Sequence, residues 1–177
     1  IRDRTYTVGA IVINNAVGNP LLNDGPYFLS GHLELDKEFG GYGPSNKRYD
    51  NILRAKRIPQ SLGITDTLND ISSNTVIGVV ATDAPLTRAN LKRIAIMAHD
   101  GIAKSLSPAH TPMDGDTIFS ISTNQSDKKQ ILENVDILAL GSRASDCVAR
   151  ACNRAVYEAT SLGNSKPGWK SLFSKID

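Results

Sequence analysis

Three observations predict an α/β layered fold: short apolar runs of strand character, two longer stretches with helical spacing, and their order along the chain, strand, strand, helix, strand, helix. The first run, Tyr6-Thr7-Val8-Gly9-Ala10-Ile11-Val12-Ile13, is nearly continuous in apolar and β-branched residues, which predicts a buried strand ending at Asn14-Asn15. From Asn19 to Ser45 the texture changes, and Gly25, Pro26, Gly31, Gly40, Gly41, Gly43 and Pro44 punctuate what reads as a long excursion over the surface. Tyr49 to Arg57 is read as a short helix, and Ser61 to Ser73 as a polar connection.

Val76 to Thr82 predicts a second buried strand, ended by Asp83-Ala84-Pro85. Thr87 then offers a helix N-cap, followed by Leu91, Ile94, Ala95, Ala98 and Ile102 at helical spacing, which leaves Arg88, Lys92 and Arg93 in water. Ser107 to Gly115 is a loop with two prolines, and Thr117-Ile118-Phe119-Ser120-Ile121-Ser122 alternates as a third strand should. The spacing next predicts a helix over roughly Asp136 to Ser161. Its small stripe Ala144, Cys147, Ala151, Ala155 and Ala159 suits close packing.

At 177 residues and 40% hydrophobic content the chain is sized for one domain, which buries roughly 70% of its unfolded surface. Twenty Lys+Arg against 18 Asp+Glu, with only 6% aromatic residues, argue against a nucleic-acid surface of basic grooves and stacking rings. The densest basic stretch, Lys47, Arg48, Arg54, Lys56 and Arg57, reads as a solvated loop and its flanks. No apolar run approaches the ~18 residues of a membrane span, and no leader of signal type is present. The chain starts at Ile1 without Met and enters a strand almost at once, so Ile1 is read as not being the original N-terminus. Cys147 and Cys152, five apart on a helix, point in different directions and are not expected to pair. As buried small residues they hint at a reducing compartment, so a cytoplasmic location is expected. His32, His99 and His110 form no spaced ligand set with them, so zinc is not expected, and no cofactor is expected.

The dipeptide Asn74-Thr75 precedes the second strand. It reads either as a turn residue followed by a good strand former or as a scissile bond. If the backbone breaks there, Thr75 becomes an N-terminus whose amine and hydroxyl form a self-contained base and nucleophile. Before the break, the same hydroxyl can attack the Asn74 carbonyl, giving an ester that water splits. Asp114-Gly115-Asp116 stands at the start of the third strand, where residues two apart in extended backbone project to one side. The two carboxylates can then face one site and share a proton, and Gly115 permits a close approach or a tight turn. A polar turn and a metal-binding Asp-x-Asp are the other readings of this motif. Asn15, at the end of the first strand, can donate its amide to an oxyanion or simply end the strand.

Taken together, Asn74-Thr75-Val76-Ile77, Val79 to Leu86, the block His110-Thr111-Pro112-Met113-Asp114-Gly115-Asp116-Thr117-Ile118-Phe119, and the run from Tyr6 through Asn15 and Gly18 resemble the DmpA-like family of self-processing aminopeptidases. Within it, the Thr nucleophile and the Met-Asp-Gly-Asp-Thr motif look most like the nylon-oligomer hydrolase branch. The resemblance implies a four-layer α/β/β/α sandwich, of which this chain supplies part. It implies that Thr75 is the nucleophile, that Asn74-Thr75 is the self-cleavage site, that Asn15 stabilises the oxyanion, and that Asp114 and Asp116 belong to the catalytic and processing network. Residues 1–74 would then be the C-terminal part of a large subunit and 75–177 the small subunit, together part of one domain.

Peptide or related amide substrates and a homo-oligomer of processed heterodimers are implied as partners, with no metal. The family's large subunit extends upstream of Tyr6 and contributes a Tyr and a Lys that have no counterpart here, so the rest of that subunit is expected as a further partner of this chain. An acyltransferase of the ornithine acetyltransferase-like type, which also uses a Thr freed by self-cleavage, and an inactive assembly subunit are the alternative classes.

Overall fold

The computed structural model describes residues 6–22, 25–46, 74–125, 131–161 and 167–173. The helix expected over Tyr49–Arg57, the connection Ser61–Ser73 and the basic stretch from Lys47 to Arg57 lie outside them. Among the described residues three strands form one sheet in the order β1-β2-β3: β1 Val8–Asn15, β2 Thr75–Thr82 and β3 Thr117–Ser122. β1 runs antiparallel to β2, with Val8 opposite Thr82 and Asn15 opposite Thr75. β2 runs parallel to β3, with Gly78 opposite Ile118. The parallel pair is joined through helix α1, Arg88–Ser105, as parallel strands require a crossover. A second helix, α2, spans Asn134–Glu158, and a short α3 spans Trp169–Phe173.

Side chains alternate across the sheet, and among the described residues only one face is covered. Val8, Val76, Val80 and Ile118 are buried against α1 and α2, packing with Ile94, Ala98 and Ile102 of α1 and Leu140, Ala144 and Val148 of α2. The opposite face carries Ile11, Ile13, Ile77, Val79, Phe119 and Ile121, all exposed, with Ile11 79% accessible. The first two strands are therefore buried on one side only, against the expectation of fully buried runs, because both long helices lie on the same face. The described residues supply one helix layer and one sheet layer of a mixed α/β architecture.

Thr87 caps α1 as expected, its Oγ1 accepting the Asn90 N–H at 3.2 Å. α2 begins two residues earlier than expected and ends at Glu158. Glu133 and Asp136 form a reciprocal capping box at its start. The seam of α2 also differs: Ala144 and Cys147 are buried, Ala151 and Ala155 are half-buried, and Ala159 is exposed beyond the helix end. Larger residues, Leu140 and Val148, carry the packing instead. Both cysteines are buried and form no disulfide with each other, as their spacing suggests.

The two helices approach closely at Gly101, where an added Cβ would lie 2.2 Å from the Ser145 carbonyl oxygen and 2.7 Å from Val148 Cβ. Gly101→Ala therefore wedges two helix backbones apart and is expected to cost about 2–3 kcal/mol, read as a lowered midpoint of chemical unfolding.

The glycine-rich segment after β1 is less superficial than its composition suggests. Phe28 and Phe39 are buried with Trp169 of α3, and Tyr42, Tyr157 and Phe173 pack around them. Asn153 of α2 donates to Ser30 Oγ at 2.6 Å inside this core, and Arg150 Nε reaches Glu38 Oε1 at 2.5 Å. The sequence gives little notice of this second core, because its aromatic residues are scattered without a period.

Candidate active site

The β1–β2 register brings the last residue of β1 to the first residue of β2. Asn15 and Thr75 stand opposite each other, and directly opposed antiparallel residues project to the same face. That face is the uncovered one. β2 and β3 are extended backwards by a parallel bridge between Asn74 and Asp114, which brings Gly115 beside the Asn74-Thr75 peptide.

Two donors meet on the Asn74 carbonyl oxygen. Thr75 Oγ1 donates to it at 2.5 Å, and the Gly115 N–H donates at 3.0 Å. A Cβ at Gly115 would stand 3.0 Å from Thr75 Oγ1, so the glycine is what leaves room for the hydroxyl. Of the two expectations for Gly115, close approach is the one the geometry uses. The Gly115 amide itself escaped the sequence reading, since a backbone donor carries no residue signature.

The two carboxylates are engaged by different partners. Asp114 Oδ2 accepts the Thr111 N–H at 2.8 Å and the Thr111 hydroxyl at 2.7 Å, closing a turn, while its Oδ1 lies 3.5 Å from the Val17 amide. Asp116 Oδ1 accepts the Val76 N–H at 2.8 Å, and its Oδ2 lies 2.7 Å from His110 Nδ1. The Asp116 side chain is only 5% exposed. The expected face-to-face pair becomes two separate braces because Asp114 closes the turn that begins at Thr111, so the stretch is not extended strand throughout. Asp116 grips β2 one residue beyond Thr75, and Asp114 holds the loop that presents Gly115.

His99 of α1 packs its ring 5.3 Å from that of His110, at 53°. Burial, then the neighbouring His110, hold the His99 imidazole below its usual range, against the opposing pull of Asp116 and Asp100. Two lone histidines eleven residues apart give no spacing signal, and neither was singled out from the sequence. Among the described residues no group of three or more His, Cys, Asp or Glu is placed to hold a metal ion. Burial pushes the Cys152 thiol up to about 11 and raises that of Cys147, so neither is a thiolate nucleophile at neutral pH. Among the described residues no helix is long and apolar enough to cross a membrane.

An uncharacterized aminopeptidase of Mycobacterium tuberculosis is 35% identical over 175 residues, which is 94% of this chain and 48% of that protein. The 6-aminohexanoate-oligomer endohydrolase of Paenarthrobacter ureafaciens is 30% identical over 81 residues, 42% of this chain and 23% of that protein. The L-aminopeptidase D-Ala-esterase/amidase of Ochrobactrum anthropi aligns in three dimensions with a TM-score of 0.44 and 25% identity, over 60% of this chain and 32% of that one. The chain thus spans about half the length of the mycobacterial relative. The model of peptidase family S58 matches residues 1–167, nearly the whole chain, and the chain belongs to this family, the DmpA-like peptidases that its motifs resemble.

Proposed function

We propose that this chain carries the nucleophile and the self-cleavage site of a Thr-dependent amidohydrolase that acts on peptide or related amide bonds. The observation that carries this reading is the Asn74 carbonyl, which has Thr75 Oγ1 at 2.5 Å and the Gly115 N–H at 3.0 Å on one oxygen. In maturation, Thr75 Oγ attacks the Asn74 carbonyl carbon and the π electrons move onto the oxygen, where the Gly115 N–H stabilises the developing charge. The C–N bond breaks, the hydroxyl proton passes to the leaving nitrogen, and an ester links Asn74 to Thr75 Oγ. Water then hydrolyses the ester, leaving an Asn74 carboxylate and a free Thr75 amine.

That amine, with an unperturbed pKa near 8, is the base for turnover. It accepts the Oγ proton as the hydroxyl attacks a substrate amide, and the product amine leaves an acyl group on Thr75 for water to remove. Asn15, facing Thr75 across the ladder, is the oxyanion donor of this second reaction. Support for amide chemistry comes from the family and from relatives named as an aminopeptidase and an oligomer endohydrolase.

The exposed apolar face fits the proposed division of the chain. Ile11, Ile13, Ile77, Val79, Phe119 and Ile121 make a contiguous patch of the kind that marks a buried contact, and a second sheet from the remainder of the large subunit would cover it. Residues 1–74 then end the large subunit and 75–177 form the small one. Incubating the full-length protein with a panel of aminoacyl amides and quenching in acid tests the chemistry. Released amine together with an acyl adduct on the peptide that begins at Thr75 is the expected result, and release without any Thr75 adduct under single-turnover conditions counts against it.

A further inference from the structure

We infer that His110 is a positioning residue for Thr75, acting through Asp116; the inference rests on the reading of Thr75 as the nucleophile. The geometry is a short relay of fixed contacts. His110 Nδ1 lies 2.7 Å from Asp116 Oδ2, and Asp116 Oδ1 takes the Val76 N–H at 2.8 Å. Val76 is the residue that follows Thr75, so the imidazole sets the carboxylate and the carboxylate sets the backbone from which the Thr75 hydroxyl projects.

Two features describe how His110 is held. Its backbone adopts φ +54°, a left-handed conformation uncommon outside glycine that histidine takes more readily than most side chains. Its ring also packs against His99 of α1. The titratable groups around the ring are Asp116 on its own loop and His99 on α1, with Asp100 beside His99. With Asp116 ionised, Nδ1 donates its proton whether His110 is neutral or protonated. The contact therefore does not depend on proton transfer through the ring, and an asparagine, which places an amide donor near the Nδ1 position and tolerates positive φ, can replace it.

The test follows cleavage of newly translated full-length protein at Asn74-Thr75 over time, with wild type, His110→Gly, His110→Asn and Thr75→Ala. Glycine tolerates φ +54° and so removes the ring without straining the backbone. Misplacing a nucleophile by a fraction of an ångström is expected to slow His110→Gly by about tenfold or more, while His110→Asn stays within about threefold of wild type. The pH profile of His110→Asn between pH 6 and 8 should superimpose on that of wild type. If His110→Gly does not fold, judged by circular dichroism, His110→Leu fills the ring volume without a donor and is expected to show the same loss.

Cleavage of His110→Gly at the wild-type rate overturns the inference. So does a His110→Asn variant as slow as His110→Gly, because that outcome makes the ring a proton carrier. Wild-type protein that stays uncut fails one step earlier, at the nucleophile itself, and is therefore distinguishable from either.

Discussion

Thr75→Ala is expected to leave the Asn74-Thr75 bond intact and to abolish amide hydrolysis, while Thr75→Ser retains both. The Thr75 hydroxyl lies 2.5 Å from the carbonyl oxygen of the preceding residue, Asn74. Removing it leaves the Gly115 N–H bound to a carbonyl that nothing attacks. Loss of a nucleophile from a covalent mechanism costs about four orders of magnitude or more, so the processed form should be undetectable over hours. Serine keeps the oxygen and loses only the methyl group, and its rates should stay within about tenfold of wild type. Folding should be little affected, because Thr75 is half-buried and its loss opens no cavity in the core. Denaturing electrophoresis of the full-length proteins reads processing, and release of amine from an aminoacyl amide reads turnover.

The second large effect is expected at Asp116. Replacement by alanine strands the Val76 N–H and the His110 imidazole together, at a side chain that is 5% exposed. An unsatisfied buried donor costs about 1–3 kcal/mol of stability. The kinetic cost should be greater, because one of the ties between the start of β2 and the loop carrying Gly115 is lost, and processing should slow on the order of 100-fold. Asp116→Asn separates the two contributions. Its amide oxygen can still accept from Val76, and His110 can offer an unprotonated Nδ1 to the amide group, so stability should be close to wild type and processing intermediate. A time course of cleavage beside a thermal unfolding curve distinguishes these outcomes. Equal rates for Asp116→Ala and wild type would remove Asp116 from the processing network.

Much of the architecture was legible in the residues, for reasons that can be named. Thr117–Ser122 alternates with period two, and it folds with Ile118 inside and Phe119 and Ile121 outside. Thr87 precedes an apolar stripe and caps the helix that follows. The near-continuous apolar run from Tyr6 to Ile13 reads as a buried strand, yet Ile11 and Ile13 are exposed. Composition records what a strand is built to contact, and a single described layer of helices satisfies half of it.

At the candidate site, Asn15, Asn74, Thr75, Asp114 and Asp116 could each be singled out as residue types. Their arrangement could not. That Asn15 faces Thr75 depends on strand register, and the division of labour between Asp114 and Asp116 depends on a turn at Thr111. The Gly115 amide and the His99–His110 pair were invisible for simpler reasons, one being backbone and the other two isolated histidines brought together only by packing.

The central claim is that one residue is both the new N-terminus and the nucleophile. Its most direct test is the mass and N-terminal sequence of the fragments from purified wild-type full-length protein under denaturing conditions. A small fragment beginning Thr75-Val76-Ile77, paired with a large fragment ending at Asn74, is the predicted result. An intact chain, or a break at any other bond, contradicts it.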